Sequence, residues 1–297
     1  MRIAVTGSHG LIGTALLARL ATDGHETVRL VRTTAGVGEI GWDPASRRLD
    51  AQALAGVDAV VNLAGAGIGD HRWTDDYRRE VLDSRVRATS TIAEAIAAVD
   101  DGPKVLLSGS AIGFYGDRGD ESLDETSGAG TDFLSDVVTA WEAATAAAEA
   151  AGCRVVHLRS GVVLAGHGGA LAKMLPLFKV GLGGRFGSGR QWLSWISIDD
   201  EAAAIVHLLS SDVSGPVNLT APAPVTNAEL ADAVGTVLHR PTVLPVPAFG
   251  PRLVLGRDRA DALLFESQRV LPRVLLDDGF THRHPTLEPA LHAVLER

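Results

Sequence analysis

Short apolar runs alternate with longer segments in which apolar residues recur every three or four positions, and this alternation continues through the first half of the chain. Ile3, Ala4 and Val5 form the first short run, and the segment LIGTALLARLATDG that follows has helical spacing. Short apolar runs predict buried strands, and periodic segments predict amphipathic helices. Because strands and helices alternate, we predict an α/β protein with a doubly wound parallel sheet and a smaller, mixed C-terminal lobe.

Three glycines, Gly7, Gly10 and Gly13, stand at every third position between the first predicted strand and the first predicted helix. Glycines let a ligand approach the backbone, and the free N–H groups of a helix N-terminus attract a phosphate. A second predicted strand, HETVRLVR, follows at the distance expected of a β-α-β unit. An ordinary glycine turn in another α/β protein is the alternative. We predict a dinucleotide-binding loop made of Gly7, Ser8, His9, Gly10, Leu11, Ile12 and Gly13.

The end of the second predicted strand carries arginine rather than an acidic residue. In a dinucleotide-binding sheet this position lies beside the adenosine ribose, where a carboxylate binds the 2′-hydroxyl and an arginine suits a 2′-phosphate. Arg29 and Arg32 stand there, and no Asp or Glu follows directly. We therefore predict that Arg32 contacts the cofactor and that NADP(H) is preferred over NAD(H). A solvated surface arginine is the alternative.

Small residues follow two further predicted strands, at the edge of the sheet where ligands of such folds bind. The strand Val57–Leu63 leads to Ala64 and Gly65, and the strand at 105–107 leads to Ser108, Gly109 and Ser110. Small residues at these strand ends allow a ligand to lie close to the backbone. We predict cofactor contacts at Leu63, Ala64, Gly65, Ser108 and Gly109.

The Gly-x-x-Gly-x-x-Gly spacing, the segment Asn62-Leu63-Ala64-Gly65, Ser110 and the pair Tyr115-Gly116 together resemble the extended short-chain dehydrogenases/reductases, which have an NAD(P)-binding Rossmann fold. The resemblance implies that Ser110 hydrogen-bonds the substrate oxygen and that Tyr115 ends the active-site loop. Ser110 and Tyr115 are therefore the predicted catalytic residues. The resemblance also implies cofactor contacts at Arg85, Ser160, Gly161 and Val162.

The predicted helix after this loop departs from the pattern of those reductases. They carry a tyrosine and a lysine four residues apart on one helix face, and the lysine charge lowers the pKa of the tyrosine. Counting back from the strand CRVVHLR places Val137 and Trp141 at the two positions. The usual acid/base pair is therefore absent from this helix. Tyr115 is the nearest phenol, and Lys173 is the next lysine along the chain.

A glycine-rich segment between residues 165 and 198 contains a cation, an amide and two indole rings within six positions. Such a set suits a polar ligand that contains a ring. Packing of the tryptophans inside the lobe is the alternative. Asp199 or Asp200 is predicted to cap the next helix, and no spacing of His, Asp and Glu predicts a metal site. We predict substrate contacts at Arg190, Gln191, Trp192 and Trp195.

Motifs spread over nearly the whole chain resemble one group of these proteins, the epimerase family of atypical extended short-chain dehydrogenases. The motifs include SGSAIGFYG, LRSGVVL, GGRFGSGRQWLSWI, GPVNLTAPAPVTN and SQRVLP. The resemblance implies a small C-terminal domain at roughly 247–295, and this family as a whole lacks the Tyr/Lys pair. We predict an NADP-binding Rossmann domain over residues 1–164, completed by a strand near 216–220, and a substrate lobe over residues 165–297.

The composition narrows the classes of partner. A formal net charge of −9 argues against binding to nucleic acid and to anionic membrane surfaces. The chain has one cysteine, which excludes an intrachain disulfide, and no stretch is long and apolar enough to span a bilayer. We predict a cytoplasmic protein that acts on a small molecule, with no nucleic-acid or membrane partner. Two long helices on one face of such a fold are compatible with a homodimer.

Two functions from different classes fit these features. The first is an NADP(H)-dependent oxidoreductase or epimerase that acts on a carbonyl or hydroxyl carbon of a small polar substrate, with a sugar nucleotide as one candidate. The cofactor would carry the hydride while Ser110 holds the substrate oxygen. The second is a catalytically inert NADP(H)-binding sensor or scaffold, which the missing Tyr/Lys pair favours. Because Ser110 and the aromatic, polar loop favour the enzyme, we predict the enzyme.

Overall fold

The computed structural model describes residues 1–296, which form two compact units. The first unit comprises Met1–Ala111, Asp136–Arg159 and Ala202–Val217, and the second comprises Ile112–Ser135, Ser160–Glu201 and the chain from Asn218 on. The chain passes repeatedly between the units, so that neither is one continuous stretch of sequence. The continuous domain boundaries given above remain a prediction.

The regular elements are named here in chain order. The strands are β1 (Arg2–Val5), β2 (Glu26–Val31), β3 (Glu39–Gly41), β4 (Ala59–Asn62), β5 (Val105–Ala111), β6 (Ser122–Leu123), β7 (Arg154–Ser160), β8 (Val162–Leu164), β9 (Trp192–Leu193), β10 (Trp195–Ser197), β11 (Gly215–Leu219), β12 (Val225–Thr226) and β13 (Arg269–Val270). The α-helices are α1 (Leu11–Thr22), α2 (Asp75–Ala98), α3 (Phe133–Ala143), α4 (Ala146–Ala150), α5 (Gly169–Lys179), α6 (Ile198–Ser210), α7 (Asn227–Leu238), α8 (Phe249–Leu255), α9 (Arg257–Ala260), α10 (Arg273–Asp277) and α11 (Leu287–Leu295). Single turns of 3-10 helix lie at Ala51–Leu54 and Ile112–Tyr115, and a π-helical turn lies at Asp261–Phe265.

Seven strands form one sheet in the order β3-β2-β1-β4-β5-β7-β11. The pairs β1–β2, β1–β4, β2–β3 and β4–β5 are parallel. The strand order reverses between β1 and β4, and ligands of such sheets bind beyond the carboxyl ends of the strands at this switch point. The predicted doubly wound sheet is confirmed. The glycine loop and the segment Leu63–Gly65 follow the two strands that flank the switch point.

The core of the first unit explains why these short apolar runs are strands. The four residues of β4 are all buried, as expected for a central strand that is covered on both faces. Helix α2 contributes Ile92 and Ile96 to a hydrophobic cluster that also contains Val60 of β4 and Leu106 of β5. None of the helices within residues 1–296 combines the length and the apolar character that crossing a membrane requires.

The second unit contains three two-stranded sheets, in which β10 pairs with β8, β12 with β9 and β13 with β6. Its helix α7 begins with a capping box, in which the Thr226 hydroxyl and the Glu229 carboxylate satisfy each other's backbone N–H groups. The position of Thr226 just before the periodic segment NAELADAVGTVL predicts this helix and its cap, and both are confirmed. The segment ALAKMLPLF predicts a short amphipathic helix that contains Pro176, and this helix is present as α5.

Trp42 and the turn signal Asp43-Pro44 predict a hairpin over residues 39–50, and the structure contains only its turn, which one antiparallel residue pair closes. Residues Glu39–Gly41 pair in parallel with β2 as the edge strand of the large sheet. Only an isolated antiparallel bridge joins Asp43 and Arg48, and the Asp43 carboxylate accepts hydrogen bonds from the backbone of the tight turn between them. Trp42 is buried in the core. Burial of the Trp42 indole is therefore consistent with residues 39–41 lying on the edge of the large sheet.

The predicted capping of α6 by Asp199 or Asp200 is also wrong. Ser197 precedes the helix, and its hydroxyl accepts a hydrogen bond from the backbone N–H of Asp200 at 3.1 Å. The buried Asp200 carboxylate instead accepts the backbone N–H groups of Arg283 at 2.8 Å and His284 at 2.9 Å. These two hydrogen bonds therefore hold the backbone at residues 283–284 beside Asp200, within the second unit.

Two further predictions of regular structure are wrong for local reasons. The alanine-rich stretch 140–151 predicts a continuous helix, since alanine is a good helix former, but α3 ends at Ala143 and α4 begins at Ala146. Thr145 lies between them, and its hydroxyl donates to the carbonyl of Glu142 at 2.8 Å. The segment RPTVLPVPAFG predicts a strand after Arg240, but the structure has only a single bridge there, between Phe186 and Val246. Prolines at positions 241, 245 and 247 remove the N–H donors that a strand would need.

Candidate functional site

The glycine loop joins β1 to α1, and its three glycines have different structural roles. Gly7 has a φ of +62°, and a Cβ there would lie 2.6 Å from the Leu63 carbonyl oxygen. A Cβ at Gly13 would lie 2.2 Å from the Gly7 oxygen. The fold itself therefore requires both glycines. A Cβ at Gly10 would approach only the Gly7 oxygen, at 3.2 Å, so that this exposed position at the N-terminus of α1 is open on its other sides.

A buried polar network holds the segment after β4 beside this loop. The Thr6 hydroxyl donates to Asn62 Oδ1 at 2.7 Å and accepts the N–H groups of Leu63 at 2.9 Å and Ala64 at 3.1 Å. Asn62 Nδ2 donates to Thr89 Oγ1 at 2.9 Å, which anchors the network on α2. Two predicted cofactor segments, the glycine loop and Leu63–Gly65, are thus adjacent at the switch point of the sheet.

Trp141 occupies the position at which the resemblance places a lysine. Its indole N–H donates to Thr89 Oγ1 at 2.9 Å, and its ring leaves no room for a Cβ at Gly109, which would lie 2.9 Å from Trp141 Cζ2. The guanidinium carbon of Arg85 lies 5.0 Å from the ring centroid. Trp141 therefore packs between the predicted cofactor residues Gly109 and Arg85.

Arg85 brings a positive charge next to Gly65. Its Nη1 donates to the Val81 carbonyl at 2.9 Å, and no carboxylate within residues 1–296 forms an ion pair with it. Burial lowers the pKa of Arg85 to about 10, so that the side chain remains charged at neutral pH. A charged group with a single backbone acceptor suits an anionic or hydroxyl-rich ligand.

Ser110 is hydrogen-bonded to a buried ion pair. Its hydroxyl lies 2.6 Å from Glu142 Oε1. Arg159 donates to the same carboxylate from Nε and from Nη2, both at 2.8 Å. Burial would raise the pKa of Glu142, but the hydrogen bonds from Arg159 and Ser110 outweigh it and lower the pKa. On the same strand as Ser110, the buried Ser108 hydroxyl has no hydrogen-bond partner among the described residues.

Sequence reasoning missed Glu142 and Arg159. Both residues stand in segments with an ordinary structural explanation, one in an alanine-rich helix and the other at the end of an apolar strand. They are 17 positions apart, and Glu142 is 32 positions from Ser110. No local periodicity connects such positions, although a charged residue within an apolar strand end is a weak sign of a buried partner.

Arg32 directly follows β2 and is exposed. Its neighbour Arg29 is occupied by an ion pair with Glu39, in which Arg29 Nη2 and Glu39 Oε1 are 2.9 Å apart. Within residues 1–296 the Arg32 side chain makes no hydrogen bond or ion pair. Of the two arginines at this strand end, Arg32 is therefore the one that remains available to a phosphate.

Ser160, Gly161 and Val162 belong to the second unit. The Ser160 hydroxyl lies 2.6 Å from Oε1 of Glu201, and full burial raises the pKa of Glu201 to about 7. The backbone N–H groups of Gly161 and Val162 are already bonded, to the carbonyls of Leu219 at 3.0 Å and Ser194 at 2.9 Å. The cofactor contacts predicted for these three residues remain predictions, and these two N–H groups are not available for them.

Tyr115 also lies in the second unit and is fully buried. It packs in a hydrophobic cluster with Ile112, Leu123 and Val270. Its hydroxyl donates to Asn218 Oδ1 at 2.7 Å. The catalytic role predicted for Tyr115 remains a prediction, and these contacts are those of a structural tyrosine.

Replacing Tyr115 with phenylalanine is expected to lower the free energy of unfolding by about 1–3 kcal/mol, because Asn218 Oδ1 loses its buried donor. Urea denaturation measures this change, and a fluorescence titration is expected to show unchanged NADPH affinity. Tyr77→Phe, at the only other tyrosine, is the control. If an activity is detected and Tyr115→Phe removes it without loss of stability, the structural role is wrong.

The four predicted substrate residues differ in their burial and in whether their polar groups already have hydrogen-bond partners. The Trp195 side chain is fully buried, and its N–H donates to the Ala223 carbonyl at 3.0 Å. Gln191 donates to the Leu264 carbonyl at 2.8 Å. Trp192 is half-buried, donates to Asp120 Oδ1 at 2.9 Å and lies under the Arg269 guanidinium, 4.4 Å from its ring centroid. Of the four predicted residues, Arg190 is exposed.

Comparison with known proteins shows the family. A sequence model described as the NAD dependent epimerase/dehydratase family matches residues 3–220, and one described as a domain of unknown function, DUF1731, matches residues 246–294. The epimerase family protein ML0860 of Mycobacterium leprae is 44% identical over 291 residues, which are 97% of this chain and 94% of that protein.

Solved structures agree with this assignment. The crystal structure of human epimerase family protein SDR39U1 (isoform 2) with NADPH has a TM-score of 0.91 and 38% identity, and the match covers 100% of this chain and 99% of that one. The UDP-glucose 4-epimerase of Thermus thermophilus in complex with NAD has a TM-score of 0.78 over 100% and 98% of the two chains, and at 18% identity it shows the same fold. The chain belongs to the NAD dependent epimerase/dehydratase family.

Proposed function

We propose that this protein binds NADP(H) and transfers a hydride to or from a carbonyl or hydroxyl carbon of a small polar substrate. The observation that carries the proposal is the switch point of the sheet. There the open position at Gly10, the segment Leu63–Gly65 and the charged Arg85 belong to one connected structure. These groups fit a dinucleotide, because its pyrophosphate needs a helix N-terminus without a side chain in its path. Bound NADP(H) would supply or accept the hydride.

The proposed preference for NADP(H) depends on Arg32. Its exposed guanidinium has no partner within residues 1–296, whereas Arg29 is held by Glu39. A guanidinium binds a phosphate through paired, charge-assisted hydrogen bonds. The related human structure contains NADPH, which supports the same preference.

Ser110 is the proposed contact to the reacting oxygen. It lies at the carboxyl end of β5, and its orientation is held by Glu142. An inert NADP(H)-binding sensor is the second candidate, which Trp141 at the position of the usual lysine and the buried Tyr115 favour. Transfer of hydride from NADPH to any carbonyl compound, or from UDP-glucose to NADP⁺, supports the enzyme. Tight NADPH binding without transfer to a panel of sugar nucleotides, ketones and aldehydes supports the sensor.

Replacing Arg32 with aspartate is expected to weaken NADPH binding by roughly 10- to 150-fold, because a charge-assisted hydrogen bond contributes about 1.5–3 kcal/mol. NADH affinity is expected to stay the same or to increase, since an acidic residue at this position can bind the ribose 2′-hydroxyl. Fluorescence titration with both cofactors measures the ratio. Arg79→Asp, at another exposed arginine, controls for the change in net charge. An unchanged ratio in Arg32→Asp would show that Arg32 does not bind the 2′-phosphate.

A further inference from the structure

The Glu142 carboxylate is surrounded by donors. Oε1 contacts the Ser110 hydroxyl at 2.6 Å and Arg159 Nε at 2.8 Å, and Oε2 contacts Arg159 Nη2 at 2.8 Å. The side chains of Glu142 and Arg159 are only 12% and 4% exposed. The fork of the guanidinium thus holds the carboxylate in one orientation, with one oxygen directed at Ser110.

The protons in this cluster can be assigned from the chemistry of the groups. Arginine only donates, and an ionised carboxylate only accepts. The pKa of Glu142 is lowered, so that the carboxylate is ionised at neutral pH. The hydrogen in the 2.6 Å contact must therefore be the hydroxyl hydrogen of Ser110. A serine has one such hydrogen, and the remaining valences of Ser110 Oγ are lone pairs.

Building on the proposed function, in which Ser110 contacts the reacting oxygen, we infer that Glu142 is a positioning residue that fixes Ser110 as a hydrogen-bond acceptor. The ligand must then present a donor at this point. A substrate hydroxyl satisfies this requirement because it carries a hydrogen. A carbonyl oxygen has only lone pairs, which the lone pairs of Ser110 Oγ would repel. The site therefore binds its substrate as an alcohol, together with the oxidised cofactor NADP⁺.

Arg159 is essential to this arrangement because it determines the protonation state of Glu142. If the two hydrogen bonds from Arg159 were absent, burial would favour the neutral carboxyl group of Glu142, which carries a hydrogen. A neutral Glu142 could donate to Ser110 Oγ, and Ser110 could then donate to a carbonyl. The ionic state of one buried carboxylate thus determines whether this site favours an alcohol or a carbonyl.

The protonation state can be measured on the whole protein without any ligand. The infrared difference spectrum between the wild type and Glu142→Gln isolates the Glu142 band. Glu149→Gln removes a half-exposed carboxylate from α4 and is the control. Its difference spectrum shows the bands that any replacement of glutamate by glutamine produces. We expect a carboxylate band at neutral pH that Ser110→Ala shifts, because one donor to Oε1 is lost. A protonated carboxyl band at neutral pH, or a carboxylate band that Ser110→Ala leaves in place, overturns the inference.

The acceptor role can be tested with two ligands on NADP⁺-loaded protein. UDP-glucose presents ring hydroxyls, and UDP-4-keto-6-deoxyglucose presents a carbonyl at one of the same carbons. Calorimetry is expected to show that Ser110→Ala weakens UDP-glucose binding by about tenfold and changes binding of the keto compound less than about twofold. The buried serine variant Ser135→Ala is the control.

The outcomes separate the inference from the proposed function. An equal or greater loss for the keto compound overturns the acceptor role of Ser110. If the wild type binds NADPH but neither nucleotide, the sugar-nucleotide candidate fails, and the infrared measurement still decides the orientation of the Ser110 hydroxyl. If NADPH does not bind, the proposed function fails and the same infrared result stands by itself.

Discussion

Replacing Gly10 with valine is expected to weaken NADPH binding by about 100-fold or more and to leave the protein folded. The backbone N–H groups at the start of α1 are the proposed ligands of the pyrophosphate. Two lost hydrogen bonds to a charged group, at about 1.5–3 kcal/mol each, account for an effect of this size. Gly10 is suited to the test because a side chain there would approach only the Gly7 oxygen. Gly13 is unsuited, because its Cβ would overlap the backbone of the loop.

Fluorescence titration with NADPH measures the loss of affinity, and thermal unfolding measures the integrity of the fold. Gly10 precedes α1, and valine is a poor residue at this position, so a stability loss of about 1 kcal/mol is expected. Gly128→Val is the matched control, because a Cβ at Gly128 has no heavy atom within 4 Å. Unchanged NADPH affinity in folded Gly10→Val would show that the loop does not hold the pyrophosphate.

Replacing Arg159 with leucine is expected to lower the free energy of unfolding by about 3–5 kcal/mol at neutral pH, because it leaves the buried Glu142 carboxylate without its charged partner. The loss should depend on pH. In the wild type the folded pKa of Glu142 is lowered, so its contribution is fully present above the ordinary value of 4.5 and is lost as the pH falls through the folded pKa. In the variant, burial raises the pKa and acid neutralises the unpaired group.

The difference in stability between wild type and Arg159→Leu should therefore be largest at neutral pH. It should shrink as the pH falls through the raised pKa of Glu142 in the variant, and shrink further below about 4.5, where the wild type loses the contribution of the ion pair. Urea denaturation at a series of pH values measures it. The double variant Glu142→Gln/Arg159→Leu removes the charge as well as its partner and is expected to lose the pH dependence. A stability difference that is constant with pH in the single variant would mean that Arg159 stabilises the fold through packing alone.

The elements that local sequence determined are those whose signals lie within one turn or one strand. The apolar runs of β1 and β4 were predicted because strands covered on both faces need continuous apolar residues. The glycine loop can be predicted because glycines at every third position between a strand and a helix form a local pattern. The structure adds that a Cβ at Gly7 or Gly13 would overlap neighbouring backbone atoms. Helix α7 was predicted from its capping residue Thr226, since the capping bonds span only three positions.

Only the tertiary structure decided how distant polar groups pair. Ser110, Glu142 and Arg159 lie on β5, α3 and β7, and packing of these elements creates the ion pair that orients Ser110. Burial likewise decided that the Tyr115 phenol donates to Asn218, 103 positions away, and that the Asp200 carboxylate binds backbone near His284 rather than capping α6. Periodicity and capping are local properties and can be found in the sequence. The partner of a buried charge depends on which elements the core brings together, and that information is spread over the whole chain.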